Sequence, residues 1–416
     1  MSTARANGGQ YYQPDETITE ETVTTISPSL APDAVAAPRV RTRNLSLDRT
    51  RTFLTLVVLL HHAVIPYTHF GHTDPKFSLG GMDMIVLATD SFFMAMFFFL
   101  SGLFVWPSLA HKTPMNFLRD RLLRLGLPFV IAAFTIIPIA YYAIELRNHP
   151  DVGFSDFWWN MVTKGPWPSG PLWFVWLLLV FDLTASVLYR ISPRLVEPIN
   201  RLSLRSFDRP TDFFLFLVAV TAILYVPLLV YYGPSRWFQF GPFDVQASRI
   251  LLYAAYFFIG AGVGAAHIDR GLLSPDGRLA KSSWSWMIVT LIPYCLLWVL
   301  IGIKREILGN PPVLPDWYEA LYGLFFVCFS AAILLAILGY FLGSKSSGVS
   351  ILDPMQPDAY GMFLVHYPIV LWLQYWMFDF NIPAFAKASI AFVLTIIFSW
   401  ALTRALRHIP GARAVL

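Results

Sequence analysis

The first long apolar segment of the chain carries two side chains suited to chemistry. Arg51 stands at its beginning, and His62 lies eleven residues further on. At 100° per residue both fall on one face of a helix, about 16 Å apart along its axis. A neutral imidazole can accept a proton near neutral pH, and a guanidinium group can bind phosphate. The spacing predicts a cation and a base on one polar stripe of the helix. Asp48 lies next to this stripe.

A second basic cluster follows the second apolar segment and contains Arg119, Arg121 and Arg124. Arg121 and Arg124 are i, i+3 neighbours on one helix face. Because guanidinium forks match phosphate oxygens, the cluster indicates a site for a phosphate-rich ligand from the cytosol. The alternative for all these arginines, and for Arg51, is a solvated basic flank of the membrane domain.

Ionisable residues inside a membrane span are expensive, so each is a functional candidate. His62 is such a residue, although it can also be a hydrogen-bonded core histidine. Asp90, in the second segment, lies at a similar depth and can orient the imidazole or stabilise its protonated form. The alternative for Asp90 is a structural, hydrogen-bonded carboxylate. Asp182, in the fourth segment, is left without an assigned role, and pairing with a neighbouring helix is one explanation for it.

Composition indicates that membrane helices position these residues. Of 416 residues, 56% are apolar and only 13% are charged, whereas soluble domains are about 25% charged. Ten segments are long enough to span the hydrocarbon core and continuous enough to be helices. They lie near residues 50–68, 83–106, 122–143, 171–190, 211–232, 249–267, 284–303, 319–342, 358–378 and 384–405. The prediction is an all-α polytopic membrane protein with about ten transmembrane helices.

The distribution of charge predicts the ends and the orientation of the chain. Residues 1–43 are rich in Thr, Pro, Glu and Ala and are predicted to be a disordered tail. Most of the 30 Lys and Arg residues fall on the side of the N-terminus, so both termini, including the short tail 406–416, are predicted to be cytoplasmic. A net charge of +4 is too small and dispersed to suggest nucleic-acid binding. The two cysteines define neither a disulfide framework nor a metal site.

Six short motifs, taken in order, resemble the membrane proteins of acyltransferase family 3. This family includes polysaccharide O-acetyltransferases and periplasmic-glucan succinyltransferases. The likeness runs from about residue 44 to residue 405, and Leu103 and Pro171 depart from the residues common in relatives. The motifs are Leu47-Asp48-x-x-Arg51, Arg51-x10-His62, Phe98-Phe99-Leu100-Ser101-Gly102, Arg121-x-x-Arg124 with Pro128, Pro171-Leu172-Trp173-Phe174 and Tyr360-x5-His366-Tyr367-Pro368.

The resemblance implies a stand-alone, multi-pass acyltransferase of the plasma (inner) membrane, whose domain spans residues 44–405. It would move an acetyl or succinyl group from cytosolic acyl-CoA to a hydroxyl of a carbohydrate or similar envelope acceptor. Acyl-CoA would be a co-substrate, with no permanently bound cofactor and no metal. The resemblance implies His62 as the catalytic residue and Arg51, Arg121 and Arg124 as donor-site residues. The residue reading adds Asp90 as a catalytic partner, Arg119 and Ser101 for donor binding, and Asp48, Tyr360, His366 and Trp173 as candidate channel lining.

The chemistry of a thioester fits this division of tasks. His62 is expected to remove the proton of the acceptor hydroxyl during direct transfer, with a transient acyl-imidazole as the alternative. The arginines would hold the phosphates of coenzyme A while its pantetheine arm extends about 16 Å inward. Trp173 can stack on a sugar, although tryptophan is also the usual residue of the membrane interface. His366 can equally be a packed core histidine.

The main competing function is a secondary transporter or flippase for a sugar or a small anionic solute. Such a protein would also have about ten helices with polar groups at membrane depth. Transporters often contain internal repeats and interrupted helices, and the sequence shows neither. Site chemistry therefore favours the transferase.

Overall fold

The computed structural model describes residues 44–415 except residues 70, 72, 73, 75–77, 266, 267 and 345–347. The predicted tail 1–43 and the end of the predicted segment 249–267 lie outside the described residues. In the described part, the prediction of an all-α polytopic membrane protein is confirmed, with one small β-hairpin added.

The first half of the described chain consists of ten helices and the hairpin. These are α1 Leu45–Val64, α2 Gly80–Gly102, α3 Val105–His111, α4 Pro114–Arg121, α5 Leu127–Phe134, α6 Ile136–Asn148, α7 Phe154–Lys164, α8 Trp173–Ile191, α9 Glu197–Arg205, α10 Pro210–Tyr232, β1 Trp237–Phe240 and β2 Phe243–Gln246. The second half continues with α11 Ile250–Ala265, α12 Arg278–Lys281, α13 Ser283–Gly302, α14 Asp316–Gly343, α15 Ala359–Met377, α16 Ala384–Leu406 and α17 Ala412–Val415.

Within the described residues, eight helical segments are long and apolar enough to cross a membrane. Of the ten predicted spans, the other two correspond to α1 and α15, which contain 20 and 19 residues. Polar side chains lie within both helices, namely Arg51 and His62 on α1 and His366 and Gln374 on α15. These two helices pack against each other, so their polar residues meet inside the protein.

Helices α2 and α11 pack closely against each other within the bundle. A Cβ atom at Gly102 would lie 2.1 Å from the Phe257 carbonyl oxygen, and one at Gly260 would lie 2.2 Å from the Phe99 carbonyl oxygen. Only glycine fits at these positions, as is typical where membrane helices approach closely. This contact also fixes the start of α11 beside α2.

The third predicted span is interrupted, which the apolar pattern did not predict. Residues Leu122–Gly126 form a π-helical turn, and the helix breaks between α5 and α6. Pro138 lacks the N–H that would bond to the Phe134 carbonyl, so that carbonyl is released from the helix. It accepts a hydrogen bond from the Trp158 indole N–H at 2.9 Å instead.

The connection between α10 and α11 forms the antiparallel hairpin β1–β2, with Trp237 opposite Gln246. Gly241 occupies the first turn position with a φ of 54°, a conformation that favours glycine in tight hairpin turns. The sequence reading assigned no strands, because two four-residue strands give too short an alternating pattern. The hairpin covers one end of the helix bundle, next to the C-terminal end of α1.

Candidate active site

A cavity of about 330 Å³ lies beneath the hairpin, between α1, α2, α8, α11 and α15. Its wall contains ionisable and aromatic groups from seven separate parts of the chain. Those used below are His61, His62, Asp90, Tyr141, Trp173, Trp237, Asp244, Arg249, Tyr253 and Tyr367. This end of the bundle is called the hairpin end here, and the opposite end, which holds Arg51, the arginine end.

His62 lies in the cavity wall and is held from behind by α15. Its ring centroid is 5.2 Å from that of His366 and 5.1 Å from that of Tyr367. Gln374 fixes the backbone by donating a hydrogen bond to the His62 carbonyl at 2.8 Å. The ring is half-buried and makes no hydrogen bond with any described residue. Its nitrogens are therefore available to a molecule in the cavity.

The preceding residue, His61, also lines the cavity but is already engaged. Its Nδ1 atom lies 2.8 Å from the Thr89 hydroxyl, and its ring packs 4.9 Å from the Phe93 ring. The rotation of about 100° between successive helical residues placed His61 off the predicted stripe. The cavity is wide enough to contact both imidazoles.

Asp90 lies in the same wall, and its described hydrogen bonds go to Arg249. The two carboxylate oxygens accept from the Arg249 Nη1 and Nη2 atoms at 2.9 and 2.6 Å. The Arg249 side chain is only 8% exposed and stacks 4.9 Å from the centre of the Phe326 ring. The role of Asp90 as a partner of His62 stays a prediction, and the structure adds a buried ion pair to the site.

The outer wall of the cavity is formed by the hairpin and the turn before α8. Both Asp244 carboxylate oxygens accept from the Ser169 backbone N–H, at 3.1 and 3.0 Å. Burial raises the pKa of the Asp244 carboxyl above its ordinary value. Trp173 stacks on Tyr253 with centroids 5.2 Å apart and contacts the Trp237 ring edge-on at 6.4 Å. The result is a rigid aromatic wall beside the ion pair.

At the arginine end, Arg51 is partly exposed, with 38% of its side chain accessible. Its guanidinium lies 4.4 Å from the centre of the Phe104 ring and 3.8 Å from the Asp48 carboxylate. Arg121 of the second basic cluster pairs with the buried Asp182, with 3.3 Å between its Nε atom and the carboxylate. The structure thus supplies a partner for Asp182, which the sequence left unassigned, and the pair holds Arg121 in place.

The remaining residues predicted for the donor are distributed around this end. Arg119 and Arg124 are exposed, and Ser101 and Tyr360 are half-buried. The Tyr360 hydroxyl donates to the Arg124 carbonyl at 2.8 Å, which joins α15 to the basic cluster. His366 and Trp173 do not lie here, because they are near His62 at the hairpin end.

The two ends are linked by the single continuous helix α1, so Arg51 and His62 stand about 16 Å apart as the spacing predicts. The described cavity lining reaches Val58 but not Arg51. Between them, Leu54 and Thr55 are 0% and 3% exposed. A donor arm that runs from Arg51 to His62 therefore has to displace packed side chains.

Several residues of the cavity were missed by the sequence reading, notably Arg249, Trp237 and Asp244. Each lies at a segment boundary, where an arginine, a tryptophan or an aspartate is ordinary. Arg249 becomes a candidate functional residue only through its ion pair with Asp90, which the sequence does not show. Among the described residues, no group of three or more His, Cys, Asp or Glu is placed to hold a metal ion.

Comparison with known proteins identifies the fold family. Among curated proteins and among solved structures, none matches this chain. A family model for the acyltransferase 3 group, described as an acyltransferase domain, matches residues 44–404. That match covers nearly all of the described chain and contains every motif on which the resemblance rested. The prediction of a transferase rather than a transporter is confirmed, and this chain belongs to acyltransferase family 3 as a multi-pass membrane acyltransferase.

Proposed function

We propose that this protein is an O-acyltransferase of the plasma (inner) membrane that takes an acetyl or succinyl group from acyl-CoA. The donor would bind at the arginine end, with both chain termini in the cytoplasm. The acceptor would be a hydroxyl of a carbohydrate or similar envelope molecule in the cavity at the hairpin end. The observation that carries the proposal is the His62 ring, which faces this cavity without a hydrogen bond to any described residue and lies on the same helix as Arg51.

In the proposed reaction, the neutral imidazole of His62 takes the proton of the acceptor hydroxyl while the oxygen of that hydroxyl attacks the thioester carbonyl. A carbon–oxygen bond forms, the carbon–sulfur bond breaks, and coenzyme A leaves as a thiolate. The thiolate then receives the proton from His62, so the imidazole returns to its neutral form. No group besides the donor and the acceptor is consumed.

The donor is assigned to the arginine end because coenzyme A carries a pyrophosphate and a ribose phosphate. Arg51, Arg119 and Arg124 present guanidinium groups there, and Arg121 is oriented by Asp182. Guanidinium forks bind phosphate oxygens bidentately. The pantetheine arm is thin and extended, and it would pass beside Leu54 and Thr55 when these side chains move.

A direct test uses the purified full chain in lipid nanodiscs. Acetyl-CoA and succinyl-CoA are supplied in separate reactions, with surface polysaccharide that has been stripped of ester groups as the acceptor. We expect one donor to release free coenzyme A thiol and to add 42 or 100 Da to the glycan. Absence of both products, while glycans of deletion cells match those of wild-type cells, would contradict a carbohydrate acceptor.

The Arg51→Ala substitution should raise the KM for acyl-CoA about 10- to 150-fold, because a charge-assisted bond to phosphate contributes about 1.5–3 kcal/mol. The KM for the acceptor should stay the same, since Arg51 is about 16 Å from His62. Arg194, which is exposed and pairs only weakly with Glu197 at 3.6 Å, provides the control substitution Arg194→Ala. Equal donor KM values in the two variants would refute the donor role of Arg51.

The Trp237→Ala substitution should raise the KM for a sugar acceptor between about twofold and tenfold, as expected for one lost aromatic stacking contact. Trp237 is 47% exposed at the edge of the cavity, so its removal leaves the bundle intact. Trp159→Ala is the matched control, because Trp159 is 61% exposed on α7. The idea fails if the two variants have the same acceptor KM.

A further inference from the structure

Behind His62 lies a second histidine, which does not line the cavity as the structure describes it. His366 is 0% exposed and sits in the middle of the pair α1–α15. Its ring lies 5.2 Å from the His62 ring with an angle of 34° between the planes. A molecule in the cavity therefore meets His62 first, and His366 can act on the chemistry only through His62.

The hydrogen bonding of His366 fixes which of its nitrogens carries the proton. Its Nδ1 atom lies 2.6 Å from the Phe363 carbonyl oxygen, which can only accept a hydrogen bond. Nδ1 is thus the protonated nitrogen of the neutral ring, and Nε2 is left as an acceptor. That Nε2 atom is buried and has no partner among the described residues. An unsatisfied buried acceptor is unfavourable, which points to a partner in another state of the site.

The neighbouring polar rings leave one candidate for this partner. His61 is engaged with Thr89, and the Tyr367 hydroxyl donates to the Tyr141 hydroxyl at 3.3 Å. The His62 ring is the adjacent polar group that makes no hydrogen bond in the described part of the chain. An imidazole–imidazole hydrogen bond of about 2.9 Å joins rings whose centroids are roughly 5 Å apart. The two centroids already stand at this separation. Because the Phe363 carbonyl holds the His366 ring, the bond requires the His62 ring to turn a nitrogen toward Nε2.

We infer that His366 is the positioning residue of His62: its Nε2 atom accepts a ring N–H of His62 and leaves the other His62 nitrogen unprotonated toward the cavity. This inference rests on the proposed role of His62 as the base. When His62 takes the proton of the acceptor hydroxyl, both of its nitrogens carry hydrogen, and His366 holds the inner N–H until the other proton passes to the thiolate. His366 thereby does for His62 what a carboxylate does in hydrolytic triads.

Two substitutions distinguish this role from simple packing, because each keeps the hydrogen-bonding function of only one of the two ring nitrogens. His366→Gln keeps an acceptor oxygen near the Nε2 position, whereas His366→Asn keeps an amide donor near Nδ1 and removes the acceptor. In the nanodisc assay with acetyl-CoA or succinyl-CoA, we expect His366→Asn to lower kcat about 10- to 100-fold, the size of effect known for the loss of a hydrogen-bond partner of a metal-binding histidine. Its KM values should change less than about twofold, and His366→Gln should stay within about fivefold of wild type.

The controls distinguish this inference from the proposed function. His149→Asn, an exposed histidine paired with Glu145 on α6, monitors the general effect of replacing a histidine. If His62→Ala keeps full activity, the proposed base is wrong, whatever His366 does. If His62→Ala is inactive while His366→Asn matches wild type, or while the Asn and Gln variants lose equal activity, the positioning role is refuted. Should His366→Asn fail to fold, His366→Met takes its place as the variant without an acceptor.

Discussion

Replacing His62 with alanine is expected to lower the rate of acyl transfer by about 10²- to 10⁴-fold, the usual effect of losing a general base. The acceptor hydroxyl would keep its proton, so attack on the thioester would depend on water or on neighbouring groups. The amount of folded protein should be preserved, because the ring is half-buried and makes no hydrogen bond with the described residues. The measurement is the rate of thiol release from acyl-CoA by equal amounts of purified protein.

Binding measurements identify where this loss arises. The affinity for acyl-CoA should be unchanged in the His62→Ala variant, because the donor phosphates bind at the other end of α1. His149→Ala serves as the matched control, since that ring is exposed and lies outside the cavity lining. Wild-type turnover by His62→Ala would exclude the imidazole as the base. Another ionisable group in the cavity wall would then have to be the base.

The second large effect is expected from the ion pair between Asp90 and Arg249. Replacing Asp90 with asparagine leaves the Arg249 guanidinium buried without its counter-charge, and breaking a buried pair destabilises a protein by about 3–5 kcal/mol. The lower end, about 3 kcal/mol, is expected because 38% of the Asp90 side chain is accessible from the cavity. Thermal unfolding in detergent should show a clearly lower melting temperature.

A double-mutant cycle isolates the pair from other effects of the substitutions. The double variant Asp90→Asn with Arg249→Gln should be less destabilised than the sum of the single variants, because the second change removes the unpaired charge. The exposed pair of Lys112 and Asp120 is the matched control, and Asp120→Asn should change stability by less than about 1 kcal/mol. If Asp90→Asn melts like wild type but has lost transfer, Asp90 acts as the direct partner of His62 instead.

Several parts of the fold were predictable because the bilayer restricts what a chain can do. A long apolar segment has to satisfy its backbone internally, so α10, α13 and α16 follow from composition alone. The predicted segments 211–232, 284–303 and 384–405 agree with these helices to within about two residues. The break between α5 and α6 follows from Pro138, but the sequence did not show that the released Phe134 carbonyl would be satisfied by Trp158 of α7.

The candidate site divides in the same way. His62 and Arg51 could be located from sequence because both lie on one helix, whose geometry fixes their separation. The neighbours of His62 come from α15, more than 300 residues away, and no local rule predicts which helix packs there. His366 was accordingly assigned to the donor channel at the arginine end, whereas the structure brings it to the back of the His62 ring.

By itself, the sequence determined the membrane class, most of the membrane helices, the family and the two chemical groups on α1, because these depend on composition, local periodicity and short motifs. Tertiary structure alone decided that Asp90 pairs with Arg249, that Asp182 holds Arg121, and that a hairpin covers the cavity. Such pairings depend on which helices approach each other, and here glycines that allow contact between α2 and α11 make that choice. Charge neutralisation within the bundle is a property of the packed assembly and leaves no signal at either residue considered alone.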